Sequence, residues 1–344
     1  MIQSYELGQD REWKALVESF ADYDVYYLPG YARGFQLHGD GEPLLLYYES
    51  DNLRAINVVM RRDVADAKAL RNKIEHGQLY DLSTPYGYGG WLLEGEGDVN
   101  RLFQDYESFC REAHIVSGFV RFHPVLGNAY KVADFYDTSC LGPTIALDLD
   151  SKELIWENMT SKNRNMVRKA QKNGIEIRYG STPELYHEFK RIYDDTMDRD
   201  DADGYYYFNN SMYQSLLADM SDNATVFYAS LEDEIIAASI MIFANGHLNY
   251  HLSGSRAKYR NLAPSNLLLC EAAKWGAERG MTSFHLGGGV GARKDGLYRF
   301  KSSFFRGEPL TYVIGKKVFD TSAYAALVEK AGCSDGSFFP LYRS

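Results

Sequence analysis

Residues 287–304 read Gly-Gly-Gly-Val-Gly-Ala-Arg-Lys-Asp-Gly-Leu-Tyr-Arg-Phe-Lys-Ser-Ser-Phe. Glycines directly after a strand let backbone approach a ligand and expose N–H donors, so Gly287, Gly288 and Gly289 are candidate substrate-binding positions. The segment does not fit G-x-x-x-x-G-K-[ST]. It also fails G-x-G-x-x-G, because Lys294 stands where the last glycine is required. A P-loop and a dinucleotide fingerprint are thereby rejected. What remains is a flexible, basic, aromatic stretch ending in Phe300-Lys301. A lysine between aromatics is partly desolvated and acts as a strong point charge for a developing oxyanion. A plain surface lysine has the same spacing.

Three further segments carry candidate chemistry. Residues 161–174 hold five basic residues and no acid. Ser161 is expected to cap a helix there and Gly174 to stop it. Arg164, Arg168 and Lys172 recur every four residues, so they share a face suited to phosphate, or simply to solvent. Residues 253–265 join a strand to a helix N-terminus, a junction that favours anions. Arg256, Lys258 and Arg260 add positive charge there, and Ser265 stands on the first helical turn. Residues 194–208 are rich in Asp and end in Tyr205-Tyr206-Tyr207-Phe208. A calcium loop ending at Asp203-Gly204 would put Arg199 at its first ligand position, so a tyrosine-lined binding loop is the better reading. His247 and His251 would share a strand face, but no third metal ligand accompanies them. Cys270 lies in an apolar helical pattern and reads as core. No G-x-S-x-G elbow is present.

The elements that must position these residues are an alternation of helix and strand. In the first half, residues 9–20 form a helical stripe. Residues 43–61 form a hairpin turning through Ser50-Asp51-Asn52. A Gly/Tyr-rich loop spans 80–91, and a helix over 98–113 leads to a strand over 118–122. The second half repeats this order. It has a helix over 183–197, strands over 224–230 and 235–243, and an Asn245-Gly246 turn into a strand over 247–252. A helix over 264–279 and a strand over 282–286 follow. The expected fold is α/β, with two domains of mixed, mostly antiparallel sheet flanked by helices and a cleft between them. Their expected limits are 1–148 and 149–310, with 311–344 packing back on the first.

The chain has 344 residues, long enough for two such domains at about 150 residues each. Lys+Arg is 37 and Asp+Glu is 47, a net charge of −10, which argues against a nucleic-acid coat or a polybasic membrane binder but permits a local basic patch. Tyrosine is abundant, 27 against 18 Phe, which suits polar clefts. Cys110, Cys140, Cys270 and Cys333 form no C-x-x-C pair, so neither a zinc site nor a dense disulfide framework is expected. The first ten residues lack the pattern of a signal peptide, and no apolar run of about 18 residues occurs. A cytoplasmic location is expected.

The run Tyr259-Arg-Asn-Leu-Ala-Pro-Ser-Asn-Leu-Leu268, then Phe284-His-Leu-Gly-Gly-Gly289, then Asp295-Gly-Leu-Tyr-Arg-Phe-Lys301, resembles the C-terminal domain of FemABX-type transferases. The basic helix with Arg164, Arg168 and Lys169 is similar too. The resemblance is strong over roughly residues 150–310 and looser before. It implies a tandem GNAT fold without the long helical arm of some members, and an N-acyltransferase acting in peptidoglycan or cell-wall biogenesis. In that reading Lys301 stabilises the tetrahedral intermediate, Phe300 shapes the site and Tyr250 stands close by. Tyr206 and Tyr207 border the acceptor groove, and Arg256, Arg260 and Ser265 contact the donor. The donor is aminoacyl-tRNA or an acyl-CoA, with no tightly bound cofactor. Expected partners are a small amine acceptor such as a UDP-linked precursor, and charged tRNA. Neither DNA nor a membrane span is expected. GNAT acetyltransferases carry Q/R-x-x-G-x-G/A at the strand–helix junction. Arg260-Asn-Leu-Ala-Pro-Ser265 lacks both glycines, and Pro264 has no N–H, which counts against a conventional acetyl-CoA site. A non-catalytic module for an anionic ligand is the competing class.

Overall fold

Apolar residues at helical spacing and runs of β-branched and aromatic residues account for most of the elements. The computed structural model describes residues 1–344 except Asp51, Ser334, Asp335 and Ser337. Asp51 belongs to the expected hairpin turn, which therefore lies partly outside the described residues. In chain order the elements are β1 (Gln3–Glu6), α1 (Asp10–Glu18), α2 (Pro29–His38), β2 (Glu42–Ser50), β3 (Leu53–Asp63), β4 (Tyr80–Ser83), β5 (Leu92–Gly95), α3 (Val99–Glu112), β6 (Ile115–Arg121) and β7 (Asp137–Asp148). There follow α4 (Lys152–Asn158), α5 (Ser161–Lys172), β8 (Glu176–Gly180), α6 (Pro183–Arg199), α7 (Asn210–Asp219), β9 (Ala224–Leu231), β10 (Glu234–Ala244) and β11 (His247–Ser255). Last come α8 (Pro264–Glu278), β12 (Ser283–Gly287), α9 (Gly296–Ser302), β13 (Leu310–Val318) and α10 (Thr321–Ala331).

The chain divides into two compact units, Met1–Leu141 with Tyr312–Ser344, and Gly142–Thr311. The division falls inside β7, ahead of the boundary expected after Asp148, because Ile145–Asp148 pair with β12 of the second unit.

The first unit has the strand order β1-β2-β3-β4-β6-β13, with β5 also on β3. Its β4–β6 pair is parallel and the others are antiparallel. The sheet buries Leu44, Leu46, Val59, Leu82 and Val120 in one cluster with Leu102, Phe103, Tyr106 and Cys110 of α3. The second unit has the order β7-β12-β11-β10-β9-β8, again with one parallel pair, β11–β12. Its core gathers Leu267, Leu268, Cys270, Ala273 and Trp275 of α8 against Phe227, Met241, Leu248 and Phe284 of the sheet. With β5 set aside, each unit thus runs helix pair, three antiparallel strands, helix, and a strand parallel to the third. No described helix is long and apolar enough to cross a membrane.

Candidate active site

A gap in the second sheet organises the site. β11 and β12 pair only between His247–Asn249 and Ser283–His285. Beyond those rungs β11 stays on β10 as far as Ser255, and β12 stays on β7 through Gly287. Past those rungs no ladder pairing joins the two parallel strands among the described residues, and they separate. The separation coincides with a bulge in β11, where the register against β10 shifts between Ile240 and Met241 and His251 is the extra residue. Such bulges bend a strand and re-aim its side chains.

Lys301 reaches across this gap. It is the penultimate residue of α9 and is only 8% exposed. Its Nζ donates to the Gly288 carbonyl at 2.8 Å, just past the end of β12. The same nitrogen lies 5.6 Å from the ring centroid of Tyr250, the first β11 residue past the last rung. Burial lowers the Lys301 ammonium to about 8, opposed by the Asp295 charge. Burial likewise pushes the Tyr250 phenol up. Phe300 packs on the unit's core and meets Phe304 edge-on at 5.4 Å. Lys301, Tyr250 and Gly288 are thus brought together, while the described contacts of Phe300 are with the core.

The stretch expected to be flexible contains a turn over Val290–Ala292 and α9, and Asp295 bonds to both. Its Oδ1 accepts from the Tyr298 N–H at 2.8 Å, capping α9, while Oδ2 accepts from the Val290 N–H at 3.0 Å. These donors hold the carboxyl below its usual range. The glycines serve close packing here. A Cβ at Gly289 would overlap the Arg293 carbonyl and the Asp295 carboxylate, and one at Gly288 would meet the Pro143 carbonyl at 2.9 Å. Gly287 adopts φ 77°, a left-handed turn that directs the chain out of β12.

The other candidates divide by what they already contact. Thr160, not Ser161, caps α5, its Oγ1 accepting from the Asn163 N–H at 3.2 Å. Arg164 donates to the Met159 carbonyl at 2.8 Å and, at longer range, to those of Trp156 and Glu157, closing the end of α4. Arg168 lies 5.1 Å over the Trp156 ring. Arg256 donates to the Ile235 carbonyl and to Glu188, both at 2.8 Å, with Glu234 at 3.3 Å. Arg260 is exposed, and Ser265 is half-buried on the first turn of α8. Tyr206 is exposed and edge-on to Tyr205, and Tyr207 donates to Asp198 at 2.7 Å, a bond that pushes its phenol up to about 12. No described contact joins Tyr206 or Tyr207 to Lys301. His247 bonds Ser283 through Nδ1 at 2.9 Å. Among the described residues no group of three His, Cys, Asp or Glu is placed to hold a metal.

Two residues near the site carry no sequence signal. Thr144, on β7 beside Gly288, is buried with a hydroxyl that has no hydrogen-bond partner among the described residues. Asn163 is buried between three helices.

The first unit has the same parallel strand pair, but its gap is sewn shut. After β4 the chain donates from Thr84 to the Phe119 carbonyl and from Gly89 to the Arg121 carbonyl. Arg121 reaches back to the carbonyls of Thr84, Pro85 and Gly87. Tyr26, edge-on, and Tyr88, tilted, pack against His123 of the buried Asp24–His123 pair, whose Oδ2–Nε2 distance is 2.9 Å.

Residues 158–302 match the family model of an acetyltransferase (GNAT) domain. The match lies within the second unit, which over those residues is similar to a GNAT domain. With it the chain is assigned as an acyltransferase. The open gap, Lys301 and the strand–helix junction at Arg260–Ser265 all lie inside the GNAT match. Over 94% of its length the chain has the fold of FemX, covering 99% of that chain at 14% identity and a TM-score of 0.67. It is similar in fold to the C-terminal domain of a protein described as a lysylphosphatidylglycerol synthetase from Agrobacterium fabrum (15% identity, 95% and 96% of the two chains, TM-score 0.56). The L-PGS structure from Bacillus licheniformis is alike (15%, 94% and 96%, 0.55). At these identities the likeness is one of fold. No curated protein matches the sequence.

Proposed function

We propose that the second unit transfers an aminoacyl or acyl group from an activated ester or thioester to a primary amine. The observation that carries this is the buried Lys301 ammonium spanning the strand gap with a single carbonyl partner. The amine nitrogen attacks the carbonyl carbon, a C–N bond forms, and the C–O or C–S bond to the leaving group breaks. The amine loses a proton and the leaving group gains one. Lys301 faces the oxyanion of the tetrahedral intermediate, where a low-dielectric surround makes its charge count for more than in water. Assembling both substrates in one place supplies the orientation.

The donor we favour is aminoacyl-tRNA. Lys162, Lys169, Lys172, Arg260, Lys294 and Arg299 are exposed and form no ion pair among the described residues. By contrast Arg178, Lys190, Arg191, Arg256, Lys258 and Lys274 of the same unit are paired. α5 packs on both α8 and the 257–262 turn, so the helix that carries Lys162, Lys169 and Lys172 adjoins the turn that carries Arg260. Unneutralised cations in an acidic chain suit a polyphosphate backbone. The junction ahead of α8 also lacks the glycines and the Pro264 N–H that a pyrophosphate cradle would use. An acyl-CoA donor is the second reading, favoured by the match of 158–302 to an acetyltransferase domain. The resemblance of residues 259–301 to FemABX-type transferases supports an acceptor amine on a cell-wall or nucleotide-sugar precursor.

Lys301→Ala is expected to lower kcat about a hundredfold, as loss of an oxyanion donor does elsewhere; full kcat would remove Lys301 from the chemistry. Gel shift with charged tRNA against thermal-shift titration with CoA separates the donors.

A further inference from the structure

Asn163 sits in the first turn of α5, 1% exposed. Its Nδ2 donates to the Ser303 carbonyl at 3.3 Å, and its Oδ1 accepts from the Asn266 Nδ2 at 2.7 Å. Ser303 directly follows α9, two residues after Lys301, and Asn266 lies in the first turn of α8. The Thr160 N–H donates to the same Ser303 carbonyl at 2.9 Å. Thr160 in turn caps Asn163 itself. The orientation of the Asn163 carboxamide is dictated by these partners. Flipping it would set its oxygen against the Ser303 carbonyl.

α9 has seven residues, too few to be stable by its own hydrogen bonds. Its position depends on how its ends are fastened. Asp295 fastens the start. The end is fastened by Asn163 and Thr160, and through Asn266 it is tied to the helix that carries the second unit's core. Lys301 stands next to that second fastening. A catalytic charge must be held within a fraction of an ångström to act, so a shift of the α9 end reaches the ammonium directly.

We propose that Asn163 is a positioning residue for Lys301, its carboxamide clamping the end of α9 to the start of α8 so that the ammonium stays across the strand gap. The proposal rests on Lys301 being the cation of the transfer site. It assigns Asn163 to that site through Ser303, not through contact with substrate.

The test uses the full chain and a readout that needs no substrate. Acetic anhydride labelling over a pH series, read by peptide mass spectrometry, gives the titration of Lys301. Tyr250 and Asp295 are the groups beside it that the labelling must leave unchanged. In the native chain the midpoint is expected near 8. In Asn163→Ala, and in the isosteric Asn163→Asp, it is expected to rise toward the ordinary lysine value of 10.5 as the ammonium gains water. Exposed Lys169 on the same helix should label as before. In steady state both variants should lose about tenfold in kcat with little change in KM. If Asn163→Ala does not fold, Asn266→Ala removes the α8 arm alone and carries the same expectation. An unmoved Lys301 titration in the folded variants overturns the proposal. Retained turnover in Lys301→Ala would instead sink the transfer reading, and the labelling result would stand apart from it.

Discussion

Lys301 carries the opposed demands of stability and chemistry. A lysine with a folded-state value near 8, against 10.5 when unfolded, binds its proton less tightly in the folded chain. That cost is present in full below pH 8 and fades as pH rises from 8 past 10.5. Lys301→Met should therefore lower kcat about a hundredfold, as Lys301→Ala should, yet raise stability at pH 7, by about 3 kcal/mol at most. Its advantage should shrink above pH 8, and denaturant melts at pH 7 and pH 10 would show this. The rate should also carry a falling limb near pH 8, as the ammonium deprotonates. Lys301→Arg, whose guanidinium keeps its charge, should lose that limb even with a reduced kcat; a limb that persists would place the titration on another group. Sequence pattern pointed to Lys301 through its aromatic neighbours and the Asp295–Lys301 element. Arg256 illustrates the opposite case. Its charge looked available in the chain, but Glu188, 68 residues away, neutralises it.

At the scale of elements, legibility followed length and periodicity. The helices over 10–18, 99–112, 183–199 and 264–278, and the hairpins, agree with their sequence patterns within a few residues. The short helices α2, α4 and α7 did not stand out, and α9 read as a flexible stretch. α4 and α9 have seven residues each, too few for a clear period, and tertiary caps decide their fate. The glycine run was legible as backbone without side chains, but not as packing. Gly289→Ala should cost about 1–3 kcal/mol by overpacking against Arg293 and Asp295. It should also lower kcat, because Asp295 links that turn to α9. A variant with native stability in a urea melt would show that the turn yields freely.

At the scale of the molecule, two units share one order of elements and one placement of the parallel pair. Only the second keeps its strands apart. The first fills the equivalent space with residues 84–91, Arg121 and the tyrosines around Asp24 and His123. Native mass spectrometry or titration calorimetry should therefore find one donor bound per chain. Two equivalent donors would mean that the closed gap in the first unit opens.

The duplicated α/β order, the mixed sheets and the Asp295–Lys301 element follow from local composition, because periodicity and turn residues act over a few positions. Which parallel pair stays open, which cations keep their charge and what holds α9 were settled by tertiary structure. Each depends on groups tens to more than a hundred residues apart, such as Asn163 with Ser303 and Asn266. No local pattern encodes such meetings; they arise only when packing brings distant backbone and side chains within hydrogen-bond reach.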